Sequence, residues 1–265
     1  MTFQLVEPIL LIGLGGVGAR LAEKAKKSLN SDCLLISHDQ KDLIIENSIK
    51  ISTKSVVNPS THLIRGSTLE TSDEIKKNIA NYSTIILMSN LAGKDGAGIG
   101  PIVSRICKQE QKNLLSFVVM PFKFEKARIF QSGIALKRIR QDSQCTIVVD
   151  NDALLDSNPD LTQNQCFDIS NKAIESMMHS LKSSEISGDT NILSTGKAAS
   201  DIEVSLKDSL RMLYEDAPPN SIKRSMLYVY GTDNIPVGVL NTISNITGGT
   251  FDENSTHIEL SLIHI

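Results

Sequence analysis

A glycine-rich turn, Gly13-Leu14-Gly15-Gly16-Val17-Gly18, stands directly between an apolar run, Pro8–Gly13, and an amphipathic stretch, Gly18–Leu29. Few folds accept that junction. The run is short and wholly apolar, so it reads as a strand buried on both faces. Leu21, Ala25 and Leu29 recur at helical spacing and share one face. A strand, a glycine turn and a helix in that order begin a parallel sheet covered on both sides. Glycines let the backbone approach a ligand closely, and the helix start offers unpaired N–H groups and partial positive charge. The ligand this suits is a phosphate; the bland alternative is a tight turn.

The alternation continues along the chain. Cys33–Ser37 reads as a second strand and Ser72–Asn81 as a helix capped by Ser72. Thr84–Ser89 follows as a strand, Gly98–Gln109 as a helix, Leu114–Met120 as a strand, Lys126–Asp142 as a basic helix and Thr146–Asp150 as a strand. Thr162–Leu181 is expected to be one longer central helix, its apolar face carried by Phe167, Ile174, Met178 and Leu181. Ser183–Thr195 is polar and contains glycine, so it reads as a connector. Beyond it lie a helix (Lys197–Glu215), a strand (Ser225–Tyr230), a helix (Ile235–Ile246) and an alternating strand (His257–Ile265). The expectation is an α/β chain: a parallel, Rossmann-like sheet with helices on both faces plus a small α+β module. The expected domains are 1–182 including the central helix, a connecting loop 183–195, and a reduced C-terminal domain 196–265.

Composition excludes several classes. The 27 basic and 30 acidic residues leave a net charge of −3, and aromatics are 4% with no tryptophan, so neither bulk charge nor stacking drives nucleic-acid binding. No apolar run of about 20 residues offers a membrane span. Glu7 precedes the first apolar stretch, which does not suit a secretory leader. Cys33, Cys107, Cys145 and Cys166 stand alone without a CxxC pair, so neither a zinc ribbon nor a disulfide framework is expected. A cytoplasmic protein that neither inserts in membrane nor binds nucleic acid is the expectation.

The first glycine turn does not choose its nucleotide. With Asp39 after the second strand it fits a Rossmann dinucleotide site. It also resembles the glycine loop of ubiquitin-activating-type adenylating enzymes. A second loop, Ala92-Gly93-Lys94-Asp95-Gly96-Ala97-Gly98, again follows a strand and precedes a helix. Two such loops on neighbouring strands can wrap one polyphosphate. Gly96 and Gly16 are expected where a Cβ would collide with ligand or where φ is positive. Ser194-Thr195-Gly196-Lys197 imitates a P-loop, but Asn191 takes the place of its first glycine and Ala198 ends it, so no Walker site is read there.

Three further segments complete a pattern: Ser37–Leu43 (SHDQKDL), Pro121–Arg128 (PFKFEKAR) and Val149–Leu155 (VDNDALL). With the two glycine loops, they resemble the FtsZ/tubulin family of GTP-dependent filament proteins, in the family's order, from about residue 8 to 182. Pro101, just inside the helix after the second loop, also fits. The resemblance is to a divergent FtsZ-like chain with a shortened C-terminal domain; an archaeal source is one expectation.

The resemblance implies a nucleotide site. Gly15, Gly16 and Gly18 keep the first loop's pattern; Val17 and Ala19 replace glycines, and Arg20 stands at an Asn position. Gly93, Gly96 and Gly98 match the signature loop, while Lys94 replaces a Gly and Asp95 and Ala97 replace two Thr. Asp95 puts a carboxylate near phosphate, unfavourable unless a cation or Lys94 intervenes. Glu125 and Arg128 match ribose and phosphate neighbours, and Asn151 matches the Asn of an ND segment. Phe167 stands where an aromatic stacks on guanine, and Asn171, one turn on, at the guanine reader.

The implied ligand is GTP or GDP, with Mg2+ as a possible companion. The implied partners are further copies, head to tail, with a membrane-anchoring protein or another FtsZ-like protein as candidates. In the family an acidic loop after the central helix completes hydrolysis on the neighbouring subunit. Here that segment is degraded, and only Asp189 and Glu185 are acidic. Slow GTP hydrolysis, in a cell-division or cell-shape filament, is therefore expected. The alternative is a Rossmann-type enzyme, NAD-dependent or adenylating.

Overall fold

A computed structural model describes residues 2–54, 57–181, 186–196, 201–217, 222, 225–231, 237–248 and 256–262. Its strands are β1 (Thr2–Phe3), β2 (Ile9–Leu14), β3 (Asp32–Ser37), β4 (Ser48–Lys50), β5 (Thr84–Asn90), β6 (Asn113–Met120), β7 (Cys145–Asp150), β8 (Ile186–Ser187), β9 (Thr190–Ile192), β10 (Ser225–Gly231) and β11 (Thr256–Leu262). Its helices are α1 (Gly15–Leu29), α2 (Thr61–Glu70), α3 (Ser72–Ile79), α4 (Lys94–Gln109), α5 (Lys126–Asp142), α6 (Asn151–Ser157), α7 (Gln163–Ser180), α8 (Ile202–Asp216) and α9 (Val237–Gly248).

Residue contacts divide the chain into two units, Met1–Asp150 with Leu181–Asn191, and Asn151–Ser180 with Ile192–Ile265. This grouping puts α7 with the C-terminal residues, whereas the sequence reading attaches it to the first domain.

The first unit holds a seven-stranded sheet in the order β4-β3-β2-β5-β6-β7-β9. Strands β2 through β7 are parallel where they pair, with Ile9 opposite Thr84, Thr84 opposite Asn113 and Leu115 opposite Cys145. Every residue of β2 and β5 is buried, as the apolar runs Ile9–Ile12 and Ile85–Met88 require, and β5 also buries the polar Thr84, Ser89 and Asn90. Successive residues point to opposite faces, so Leu10, Ile12, Leu14, Ile85 and Leu87 join Ile64, Ile75, Ile99 and Val103 of α2, α3 and α4 in one core. The β2–α1–β3 connection steps one way along the sheet and β5–α4–β6 the other. Right-handed crossovers then place α1 and α4 on opposite faces.

Helices α3 and α5 start where the sequence implies, at Ser72 and Lys126, but α1 and α4 start earlier than their apolar spacing implies. α1 begins at Gly15 and α4 at Lys94, four residues before Gly98. Pro101 therefore lies in the body of α4 rather than its first turn. Lacking an N–H, it leaves the Ala97 carbonyl without its helical donor, and Arg65 of α2 supplies one from Nη2 at 3.0 Å. Helix α2 itself is not evident from sequence, since Gly66, Ser67 and Thr68 are poor helix formers. It is started by Ser60, whose hydroxyl accepts from Leu63 N. Strand β4 and helix α6 are likewise too short to announce themselves.

In the second unit, β10 and β11 pair in parallel. Leu206 and Ile243 form a small core with Ile202, Leu210, Leu227 and Ile246 packed on it. Asp201 caps α8 by accepting from Glu203 N and Val204 N. On α7 the buried stripe is Cys166, Ser170, Ile174 and Met178. Ile174, Met178 and Leu181 are buried as expected, but Phe167 is only half-buried, and Cys166 takes the buried position one turn before Ser170.

Candidate functional site

Strands β2 and β5 are neighbours, with Leu14 opposite Ser89 at their C-terminal ends. Their outgoing helices leave toward opposite edges of the sheet, which makes this the topological switch point where open α/β sheets bind ligands. Both helices start there beside glycine, α1 on Gly15 and α4 just after Gly93. α1 follows Leu14 and α4 follows Gly93, and neither has a side-chain cap. Their first amide N–H groups therefore carry no side-chain acceptor, and both positive dipole ends meet at one crevice.

Local chemistry builds each turn. Gly15 has φ +62°, a left-handed conformation that favours glycine. In the second loop, Asn90 Oδ1 accepts from Ala92 N at 2.9 Å and the Asn90 carbonyl from Gly93 N at 3.1 Å. A Cβ on Gly96 would lie 2.1 Å from that carbonyl oxygen, and one on Gly18 2.4 Å from the Met88 carbonyl oxygen. These two glycines serve backbone packing. The expectation that Gly96 faces ligand or has positive φ is not met. Gly16 does face the crevice, but a Cβ there would meet Asp42 Oδ1 at 2.7 Å. Ala19 and Ala97 are buried, Val17 is half-buried, and Arg20 is exposed, with Nη1 3.7 Å from where a Gly16 Cβ would sit. A Cβ on Gly98 would meet Ile64 Cγ2 at 3.1 Å, so Gly98 lets α2 pack closely on α4.

Asp95 is buried, and its carboxylate lies against the first glycine turn, Oδ2 being 3.2 Å from a Cβ built on Gly15. His38 Nδ1 lies 2.6 Å from Asp95 Oδ1, and the Ser37 hydroxyl reaches Oδ2 at 2.6 Å. The same hydroxyl is 2.8 Å from Asp42 Oδ2. Lys94, the expected counter-cation, turns elsewhere: its Nζ donates to the Pro59 carbonyl at 2.8 Å and to Asn58 Oδ1. Ser37, His38 and Asp42 were missed as individual site residues. Their signal was the position of the SHDQKDL segment after β3, which reaches the crevice because β3 flanks β2. Asp39 does not face it; its carboxylate accepts from Lys41 N and caps a 3-10 turn over Gln40–Asp42.

Glu125 and Arg128 pair with each other, Oε1 to Nη1 at 2.7 Å, and Glu125 Oε2 accepts from Phe122 N. In the second unit Asn151 is fully buried; its Oδ1 accepts the Ser170 hydroxyl, and its Nδ2 has no partner. Asn171 and Phe167 are both half-buried, one turn apart on α7. Asp189 is exposed in the first unit, its carbonyl accepting from Thr146 N at the start of β7. Glu185 lies outside the described residues.

Residues 8–159 match the family model described as the Tubulin/FtsZ family, GTPase domain. The chain belongs to the Tubulin/FtsZ family. It is 26% identical over 178 residues to cell division protein FtsZ 2 of Halobacterium salinarum, covering 63% of this chain and 44% of that protein. FtsZ 2 of Methanocaldococcus jannaschii is 25% identical over 180 residues, 63% of this chain and 46% of its own. The chain thus spans about half the length of these curated relatives. Among solved structures, a W319Y mutant of FtsZ from M. jannaschii superposes with a TM-score of 0.79 at 17% identity, covering 97% of this chain and 86% of that one. CetZ from Methanosaeta thermophila gives 0.67 at 15%, covering 96% of this chain and 82% of that one. The shared fold is the parallel, Rossmann-like sheet expected from sequence.

Family membership decides against the Rossmann-enzyme alternative, and the cysteines agree. All four are buried; burial pushes the Cys107 and Cys145 thiols up to about 12 and Cys33 up to about 11. None is the exposed, acidified thiol that an adenylating enzyme needs for transfer.

Proposed function

We propose that this chain binds GTP or GDP with its phosphates at the β2/β5 crevice and assembles head to tail with copies of itself. The carrying observation is the meeting at the switch point of two helix starts without side-chain caps, one on Gly15 and one just after Gly93. That arrangement suits an anion, and two such termini suit a polyphosphate. The N–H groups of Gly15, Gly16 and Val17 and of Lys94, Asp95 and Gly96 would supply the cradle, with Arg20 at its rim. Base recognition by Asn171 and Phe167, and ribose or phosphate contacts by Glu125 and Arg128, rest on the family resemblance. Among the described residues no group of three His, Cys, Asp or Glu side chains could hold a metal. Mg2+ bound with the nucleotide would supply charge neutralisation to the phosphates.

Asp189 supports the head-to-tail reading. It adjoins the N-terminal end of β7, whereas both glycine loops lie beyond the C-terminal ends of strands parallel to it. A strand of this length spans about 20 Å, so Asp189 cannot reach the phosphates of its own sheet. Only a second copy stacked end to end could bring the two together, a heterologous contact that generates open polymers. Hydrolysis would be slow, because the Thr hydroxyls of the family's signature loop are replaced by Asp95 and Ala97. A cytoplasmic cell-division or cell-shape role follows from the same resemblance; among the described residues no helix is long and apolar enough to cross a membrane.

The test is to denature the purified protein and identify the released nucleotide, then compete the site with GTP, ATP and NAD. Guanine release and preference for GTP are expected. Nicotinamide release, or equal affinity for GTP and ATP, would overturn the reading.

A further inference from the structure

We infer that His38 is the positioning residue that lets Asp95 coexist with a bound phosphate, an inference that rests on the nucleotide reading above. Asp95 sits in the first turn of α4 with its carboxylate packed against Gly15. By its position in the first turn this acid complements the helix dipole. With a phosphate present, it is a like charge at close quarters in a partly desolvated place. Something must hold that carboxylate away from the ligand and take up its charge.

The candidates are few. Lys94 is engaged with Asn58 and Pro59. Arg20 lies by Gly16 on the side of Asp42, not Asp95. Ser37 has one hydroxyl proton and two carboxylates within reach, Asp95 at 2.6 Å and Asp42 at 2.8 Å, while it accepts from Asp39 N at 3.0 Å. It cannot donate to both acids at once. His38 is the one cationic or N–H-bearing side chain among the described contacts bonded to Asp95, with Nδ1 at 2.6 Å from Oδ1 and a ring 23% exposed at the crevice. Its donation fixes the carboxylate toward the end of β3. Without it, Asp95 keeps a hydroxyl that Asp42 also claims and one long bond from the His38 backbone N–H at 3.5 Å. The crevice would then present two acids, Asp42 and Asp95, to the phosphates.

The test measures GTP and GDP affinity, by titration with a fluorescent GTP analogue and competition, for the full chain and four variants: His38→Ala, His38→Gln, Asp95→Asn and the double variant His38→Ala with Asp95→Asn. Thermal melting of each checks that it is folded. His38→Ala should bind about tenfold or more weakly, the scale of a lost charge-assisted hydrogen bond beside an anion. Asp95→Asn should bind at least as tightly as the parent, since the amide carries no charge. The double variant should return to within about threefold of the parent, because removing the acid removes the need for its partner. His38→Gln, which keeps an N–H donor, should lie nearer the parent than His38→Ala. Unchanged binding in His38→Ala overturns the inference. So does a folded double variant as weak as His38→Ala, which would mean that His38 meets the ligand or merely supports the loop. A parent chain that binds no nucleotide would instead overturn the nucleotide reading itself, and this inference with it.

Discussion

The guanidinium of Arg65 donates at 3.0 Å to the carbonyl of Ala97, the carbonyl that Pro101, four residues on, cannot serve. Burial of Arg65, with Arg138 as a like-charged neighbour, lowers its pKa below the usual arginine value. The side chain thus pays a desolvation cost to complete the backbone of α4. Arg65→Met should remove the donor while keeping much of the packing, and destabilise the fold by about 1–3 kcal/mol, the cost of an unpaired buried carbonyl. Chemical denaturation with an unchanged m-value would report it. A loss below a few tenths of a kcal/mol would show that water serves Ala97 equally well.

Glycines in this chain divide by what a methyl group would meet. On Gly66 of α2 and Gly133 of α5 a Cβ has nothing within 4 Å. Gly66→Ala and Gly133→Ala should each stabilise by about 0.5–1 kcal/mol, through helix propensity and a less free unfolded chain. On Gly96 the same atom would lie 2.1 Å from the Asn90 carbonyl. Gly96→Ala should therefore destabilise by about 3 kcal/mol or more, with or without nucleotide. A Gly96→Ala protein that melts like the parent but binds no nucleotide would restore a direct ligand role.

If Asn171 reads guanine, Asn171→Ala should weaken GTP binding by about 1–3 kcal/mol, leaving ligand donors or acceptors unpaired. ATP affinity should hardly move. Equilibrium titration of both nucleotides separates this from general loss of the site, which would weaken both.

Turnover should depend on protein concentration if chemistry needs a second copy. Any GTP hydrolysis should rise more than linearly with protein, and Asp189→Ala should lower it by about 10²-fold or more without changing GTP affinity. Phosphate release at several protein concentrations checks both parts. Rate per subunit that is flat with concentration would be incompatible with an end-to-end site.

Buried thiols give an alkaline signature. Burial raises Cys107 and Cys145 from 9.0 to about 12, and Cys33 from 9.0 to about 11. Above pH 9 the unfolded chain therefore releases protons that the folded chain keeps. Stability should be flat below that pH and fall as pH rises toward 12. Denaturant melts at pH 8 and pH 10 measure the difference. Burial and the Asp32 carboxylate also hold the Tyr82 phenol up to about 12, adding to the fall above pH 10.

The five inner strands β3, β2, β5, β6 and β7 were legible because each is built on a mostly apolar run, whereas the edge strands β4 and β9 are short and polar. Both glycine loops were legible because glycine leaves a mark that no side chain obscures. The starts of α3 and α5 were legible too, but those of α1 and α4 were not. A reading by apolar spacing begins α1 at Gly18 and α4 at Gly98, yet Gly15 and Lys94 already lie in helical turns whose faces point to the crevice rather than the core. The crevice itself was half legible. Asp95 is visible in sequence as a misplaced acid, but its partner is His38, 57 positions away. Only the placement of β3 and β5 on either side of β2 makes that pair, and spacing along the chain carries no trace of it. Phe167 was misplaced for a simpler reason: Cys166 and Ser170 are small enough to be overlooked as a buried stripe.

Strands β2 through β7 all run the same way, so the turns that enter them and the turns that leave them gather at opposite ends of one rigid slab. Substitutions at the outgoing end alter what is held there without disturbing the strands or the incoming turns. His38, Lys94 and Asp95 all stand at the outgoing end, while the middles of β2 and β5 stay apolar. A chain built this way can exchange its chemistry one loop at a time and keep its fold throughout.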